Sequence, residues 1–520
     1  MPLPDKGAAW PPISPIVRSD MEDWAAWYSA DPDRLAYRYR TRRRTGRAYG
    51  QPDNRPSQYR GGIVGTVARW FWGEPTPAGE KRANLHVPLA RDLARTSADL
   101  LFSEPPTLIT QNAATRDRLE ELMTTGLRRT LIAQGEVCSA LGGSYLRLVW
   151  DTRIQPGPWI SLVRADGAAP EFFGERLRAV TFWKVIAFDG QKVVRHLERH
   201  EPNLILHGVY EGTEDNLGSP VPLSAYPDTK DLLPVRELPL QGRLACSYIP
   251  NTMTAPDWHD VPGAAGLGTS DFQGAEGMLS AVDEAYTSWM RDIRLARSRI
   301  LVPSGYLQSL GTGQGVAWED REVFAPMNIP PTGEQGITLN QFAIRHEEHR
   351  ATIEDLVSRI VRNAGYNEGT FGDDGDSTQM TATEVKARNA RTMATRARKT
   401  ELETVGIAEI TETLLILENS GLFPGAPQTE VERPEVRWQD SVQEDTKVLA
   451  ETADLLRRAD AASTETLVAL VNPGLPLEEQ AKEVRRIMRE TGRDTADPAL
   501  TGAENPGPGF SQDEDGEEGV

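Results

Sequence analysis

The stretch Gly365-Tyr-Asn-Glu-Gly-Thr-Phe-Gly-Asp-Asp-Gly-Asp-Ser-Thr-Gln-Met380 runs directly into Thr381-Ala-Thr-Glu-Val-Lys386 and an uninterrupted helical pattern. Thr381 can accept a hydrogen bond from the backbone three residues on while Glu384 reaches back, a capping box that fixes a helix start. No proline occurs before Gly421, and Gly406 is the one glycine between Ala382 and Asn419. Residues 381–421 are therefore predicted to form one long helix, about 55 Å from Ala382 to Asn419 at 1.5 Å per residue. A helix of that length needs neighbours along it.

Its charges are ordered against the helix dipole, which favours acids first and bases last. Lys386, Arg388, Arg391, Arg396, Arg398 and Lys399 fill the first half, and Glu401, Glu403, Glu409, Glu412 and Glu418 the second. The reversal calls for compensating groups: acidic surfaces of other elements, neighbouring subunits or a polyanion. The plain alternative is a solvated bundle helix.

The chain has 520 residues, 39% hydrophobic and 26% charged, which suits three or four domain-sized regions. No apolar run approaches the roughly 20 residues of a membrane span, and the start Met-Pro-Leu-Pro-Asp-Lys-Gly-Ala-Ala-Trp10 has no secretory pattern; no membrane partner is expected. Cys138 and Cys246 are the only cysteines, too few for a disulfide framework or a cysteine zinc site. A net charge of -19 argues against general adhesion to nucleic acid, whose affinity comes from counterions displaced by basic side chains. It suits a conduit that must not grip.

Residues 1–80 read as an N-terminal arm with few core signals, containing a short helix from Met21 to Ala30. Arg38, Arg40, Arg42, Arg43 and Arg44, interleaved with tyrosines, are candidate DNA or subunit contacts, as are Arg388 and Arg391 on the long helix. Trp70-Phe71-Trp72 reads as a buried anchor. Apolar spacing from Leu85 to Phe102 gives a helix ending before Glu104-Pro105-Pro106, and Leu119–Gly142 gives another, ended by Gly142-Gly143. Ser144–Trp150 alternates as a strand, and short β-like runs recur from Trp159 to Tyr210 in a mixed or antiparallel sheet. His196 and His200, four apart in a strand, lie too far from each other to share a metal and read as surface histidines. Ser270-Asp-Phe-Gln273 is a second capping box opening a helix to residue 300. Sequence rich in glycine and proline fills 301–339, a helix returns over 340–364, strand-like Val431–Trp438 comes next, and helices are predicted at Glu444–Ala459, Thr464–Val471 and Leu477–Thr491. From Arg493 onward eight acids against one base predict a disordered acidic tail.

The loop, the Thr381–Lys386 motif and the long helix resemble the region following the tunnel loop of tailed-bacteriophage portal proteins. Ala98-Asp-Leu-Leu-Phe-Ser-Glu-Pro-Pro106 resembles the ending of a portal wing helix, and the order helix, small β insertion, returning helix over 270–364 resembles a portal stem and clip. The resemblance covers residues 81–491. It implies an α+β subunit: arm 1–80, wing 81–269, stem helices 270–300 and 340–364 around a clip 301–339, tunnel loop 365–380, long helix 381–421, crown 422–492 and tail 493–520. It implies a ring of twelve copies at one capsid vertex of the virion, assembled in the host cytoplasm, through which double-stranded DNA is packaged and ejected. Implied partners are the terminase large subunit, the major capsid protein and scaffold, and a head–tail adaptor. Glu368, Phe371, Asp373, Asp374 and Asp376 would face the channel.

Catalytic readings are weaker. Gly311-Thr-Gly-Gln-Gly315 lacks the lysine of a phosphate-binding loop, and His346-Glu-Glu-His349 spaces its histidines three apart where a zincin needs four. No cofactor, metal site or enzymatic activity is expected. The alternatives are a metal-dependent nuclease using Glu368, Asp373, Asp374 and Asp376, or a virion adaptor that binds DNA through the Arg38–Arg47 arm.

Overall fold

Helix α1 (Pro15–Ser29) places Val17, Met21, Trp24 and Trp27 at helical spacing and buries all four. The computed structural model describes residues 3–41, 85–253, 255–295, 299–303, 324–327, 338–340, 344–371, 382–438, 446–472 and 477–491, so Trp70–Trp72, the Thr381 cap and the tail lie outside the described residues. The chain divides into two units, Met1–Gln439 and Asp440–Val520. In the first, Trp24 packs on Trp258 at 5.4 Å between ring centroids, within a core that also holds Leu35, Leu93, Phe272 and Tyr366. The few core signals read in residues 1–80 understate their role: α1 and Leu35 of α2 (Pro32–Thr41) are core.

Helix α3 (Leu89–Phe102) buries its periodic apolar face and is followed by β1 (Thr107–Ile109). The single helix expected over Leu119–Gly142 is instead two, α4 (Ala113–Leu122) and α5 (Arg128–Leu141), joined by a wide turn over Met123–Leu127 that departs from helical geometry at Gly126. Asn112 caps α4 by accepting from Thr115 N at 3.1 Å. Gly142 ends α5 at φ +81°, where a Cβ would come 2.5 Å from the Gly268 carbonyl oxygen. Two requirements, a left-handed backbone and close approach, select glycine there.

Strands β2 (Gly143–Val149) and β3 (Trp159–Arg164) form an antiparallel sheet with β10 (Cys246–Pro250), in the order β10-β2-β3. Between β3 and β10 lies a second sheet of β4 (Ala168–Phe173), β5 (Arg176–Asp189), β6 (Lys192–Glu201), β7 (Leu204–Gly212) and β8 (Ser219–Val221), with β9 (Val235–Glu237) also on β7. Every pairing in these two sheets is antiparallel, as short turns between consecutive strands require. Residues 3–10 dock on the second sheet: Tyr210 donates to the Pro4 carbonyl at 2.8 Å, and Trp10 meets Trp183 edge-on at 5.3 Å.

Helix α6 runs Glu276–Leu295. Ser270 does not cap it as the sequence suggests; residues 271–275 form turns, and Ser270 Oγ accepts from Phe272 N at 3.4 Å. Then β11 (Arg299–Pro303), β12 (Phe324–Met327) and β13 (Thr338–Asn340) form a small sheet in which β11 is parallel to β12 and antiparallel to β13. Helix α7 (His346–Asn363) returns. Arg345 and His349 near its start bond Asp292 near the end of α6, at 3.0 Å each, while Asn363 at its end donates to the Gln273 carbonyl at 2.9 Å. The two helices are therefore antiparallel.

Helix α8 (Ala382–Glu418) is 37 residues long. Ile407, Ala408, Ile410, Leu414, Leu415, Ile416 and Leu417 are all buried, so its second half is apolar around much of its circumference, as a helix inside a protein must be. Residues 422–438 belong with this first unit: Phe423, Ala426 and Val436 lie in the same core, and β14 (Glu435–Arg437) pairs antiparallel with β1. The second unit holds α9 (Thr446–Arg458), α10 (Thr464–Val471), capped by Ser463 on Thr466 N at 3.2 Å, and α11 (Leu477–Glu490).

Candidate functional site

Several of the reversed charges of α8 are met within the chain. Arg396 donates to the Leu100 carbonyl at 2.8 Å, near the C-terminal end of α3 where carbonyls lack helical partners. Glu409 accepts from Ser247 at 3.1 Å, Glu412 from Arg243 at 2.6 Å and Glu418 from Arg118 at 2.6 Å. The compensation that sequence assigned to other elements, other subunits or a polyanion is, for these residues, supplied by α3, α4, β10 and the segment before β10. Burial raises the Glu418 carboxyl despite Arg118.

Lys399 is the most constrained of these groups. Its ammonium donates to Ser97 of α3 at 2.7 Å and to Asp271 at 2.5 Å. Asp271 also receives Tyr366 at 3.1 Å, Ser139 of α5 at 2.6 Å and Asn251 at 2.7 Å. Burial alone would drive the proton off Lys399; Asp271 and then Tyr366 outweigh it and hold the ammonium above its ordinary range. This buried knot ties together α3, α5, the entry to α6, the exit of α7 and α8. Nothing in the sequence signals it, because Lys399 and Asp271 stand 128 residues apart.

The glycine- and aspartate-rich loop before α8 is partly fixed by this knot. Tyr366 is buried, and Thr395 donates to the Gly365 carbonyl at 2.7 Å while Thr392 Oγ1 accepts from Asn367 N at 2.9 Å. Glu368 is bound by Ser358 and by Arg362 at 3.1 Å, and Phe371 meets Tyr366 edge-on at 6.2 Å. Residues 365–371 are thus seated on α7 and α8, and Glu368 and Phe371 are held by their own chain. Asp373, Asp374 and Asp376 lie outside the described residues.

Arg38 is likewise committed: its guanidinium bonds Asp23 and Glu22 at 2.7 Å each and the Ser19 carbonyl at 2.9 Å. That seats α2 on α1. The backbone of Arg40 lies in α2 and that of Arg388 in α8, Arg391 is exposed on α8, and Arg42, Arg43 and Arg44 fall outside the described residues.

His196 and His200 are buried, contrary to the surface reading. They share one face of β6 with Glu198. His196 Nε2 lies 3.2 Å from His207 Nδ1 of β7, and Glu198 bonds His200 at 2.7 Å and Arg147 of β2 at 2.6 Å. Burial and then His207 push His196 down to about 4. Burial would raise the Glu198 carboxyl, but the His200 hydrogen bond, then His200, Arg147 and His207, hold it well below the usual range. The cluster joins the two sheets. Among the described residues no group of three or more histidines, cysteines or acids is arranged to hold a metal, and no helix is long and apolar enough to cross a membrane. His349 of the His346–His349 pair binds Asp292.

No protein-family model matches the chain, and no curated protein matches it significantly. Among solved structures, the neck of a native GTA particle computed with C12 symmetry has 15% identity, covers 80% of this chain and 99% of its own, with a TM-score of 0.38. The neck of an empty GTA particle computed with C6 symmetry has 18% identity, the same 80% coverage, 98% of its own chain and a TM-score of 0.39. Those scores are low, so the functional reading rests on the chain's own elements.

Proposed function

We propose that this protein is the subunit of a portal ring in a phage-like particle, a non-enzymatic conduit for double-stranded DNA that docks the packaging motor and the head–tail adaptor. The observation that carries the reading is one arrangement: an antiparallel helix pair with a three-stranded sheet inserted between its helices, followed by residues 365–371 seated on α7 and α8 and then by a 37-residue helix that returns to an α/β body. Ile293 and Ile344, at the sheet-proximal ends of α6 and α7, are 39% and 42% exposed; neighbouring copies would cover them. Because Arg396, Lys399, Glu409, Glu412 and Glu418 of α8 find partners within the chain, the ring is argued from this helix pair and not from the charge reversal. Native mass spectrometry and negative-stain imaging of the purified protein should show a closed ring, twelve copies being the expected number. A persistent monomer or dimer across assembly conditions would overturn the proposal.

The channel would be lined by the segment containing Asp373, Asp374 and Asp376, whose carboxylates repel phosphates over a Debye length of about 8–10 Å. Replacing all three by lysine should leave rings assembled but cut the DNA packaged per particle, most at low salt; wild-type yield would remove the channel assignment. The nuclease alternative would use the same acids. DNA incubated with the protein, Mg²⁺ and ATP should stay intact, and cleavage lost in Asp374→Ala would favour that alternative.

A further inference from the structure

Gln134 of α5 and Glu403 of α8 are fully enclosed, at 0% and 3% exposure. Gln134 Nε2 donates to Glu403 Oε1 at 2.9 Å and to Ser144 Oγ of β2 at 3.0 Å. The remaining oxygen of each side chain, Gln134 Oε1 and Glu403 Oε2, is buried with no hydrogen-bond partner among the described residues. Two orphaned acceptors on side chains already bonded to each other are costly. A proton on the carboxyl turns an acceptor-only group into one that can donate, and removes a charge that has a single neutral donor. Exchanging the amide oxygen and nitrogen of Gln134 does not remove the need, because its oxygen would then face Glu403 Oε1, and only a protonated carboxyl can donate there.

We propose that Glu403 is carried as a neutral carboxylic acid that donates to Gln134, making the pair a pH-sensitive latch between the long helix and α5. The charged groups around it agree. Lys399, one turn earlier on α8, is bound to Asp271. Cys138, one turn on from Gln134, is a thiol that burial pushes up, so it is neutral. From β2 the latch meets Ser144, which is neutral. Burial pushes the Glu403 carboxyl up to about 7, against the Gln134 hydrogen bond and Lys399. The folded state therefore holds the proton more tightly than the unfolded chain. Stability from this group is complete below pH 4.5, falls as pH rises to about 7, and is flat above.

Glu403→Gln keeps a paired amide and removes the titration. Glu276, whose carboxyl burial also pushes up to about 7, would confuse the reading, so both proteins should carry Glu276→Gln. The ratio of their unfolding constants should then change by about a hundredfold between pH 4.5 and 7, each pKa unit being a factor of ten; parallel stability curves overturn the latch. A measurement independent of the Glu403 variant's folding is the infrared spectrum of the Glu276→Gln protein with ¹³C-labelled glutamate. A protonated-carboxyl band that is present at about pH 6 and titrates away near neutral pH is expected, and its absence at about pH 6 overturns the assignment.

Discussion

Removing one partner of the buried Lys399–Asp271 pair would strand the charge of the other. Lys399→Met would leave Asp271 enclosed with its three neutral donors and no counter-charge. The expected loss is about 3–5 kcal/mol of unfolding free energy in urea. Pairing it with Asp271→Asn should recover part of that loss, since no charge is left without a partner although the amide nitrogen cannot accept as the carboxylate oxygen did. The histidine cluster carries a second expectation, with its sign set by His196. Its folded-state value of about 4 lies below the ordinary 6.5, so the unfolded chain binds more protons between those limits and stability is lost as pH falls through that window. The parent protein should lose about 3 kcal/mol from this group between pH 6.5 and 4, and His196→Gln should not. The Glu403 latch tilts the opposite way over much of the same range, so the difference between variant and parent isolates the histidine.

The long helix owes its position to a close approach as much as to its apolar half. A Cβ on Gly406 would come 2.3 Å from Ile249 Cγ1 of β10. Glycine to alanine inside a helix ordinarily stabilises by about 1 kcal/mol through propensity. Here the sign should reverse: Gly406→Ala is expected to destabilise by about 1–3 kcal/mol by pushing α8 off the sheet. Adding Ile249→Ala should return part of that loss, which equilibrium unfolding of the single and double variants would show. An alanine that stabilises on its own would mean that helix and sheet can separate at little cost. The same seat explains how a helix with its charges against the dipole persists: the buried apolar half and the partners of Arg396, Lys399, Glu412 and Glu418 outweigh the few tenths to about 1 kcal/mol per charge that the dipole exacts.

The two units differ in how completely each encloses a core. The first carries two large clusters drawn from α1 through β14. In the second, Val468 and Val484 are the buried apolar residues among those described, while Leu455 on α9 stands 65% exposed. Among the described residues of this unit that core is small, and a small core stabilises a short chain weakly. A fragment of residues 440–520 at low micromolar concentration should therefore melt without a cooperative transition by circular dichroism. Residues 1–439 should melt cooperatively. A sharp transition in the monomeric C-terminal fragment would show that its three helices suffice.

Local pattern by itself determined much of this protein: the long helix, the glycine stop at Gly142, the strand at 143–149, the recurrent antiparallel strands and the helix–sheet–helix order over 276–363. Each of these is written in spacing, capping or turn residues within a few positions of one another. The burial of α1 was also written, in Val17, Met21, Trp24 and Trp27 at helical spacing, but the surrounding prolines and basic run outweighed it. Tertiary structure alone decided the fate of the polar groups. The sequence places Lys399 in a basic run and His196 in a polar strand. It cannot say that Asp271, 128 positions away, encloses the first, or that His207 of the next strand encloses the second. Charge along a chain is a local property, whereas the burial that gives a charge its partner and its proton is fixed by elements that meet only when the chain has folded.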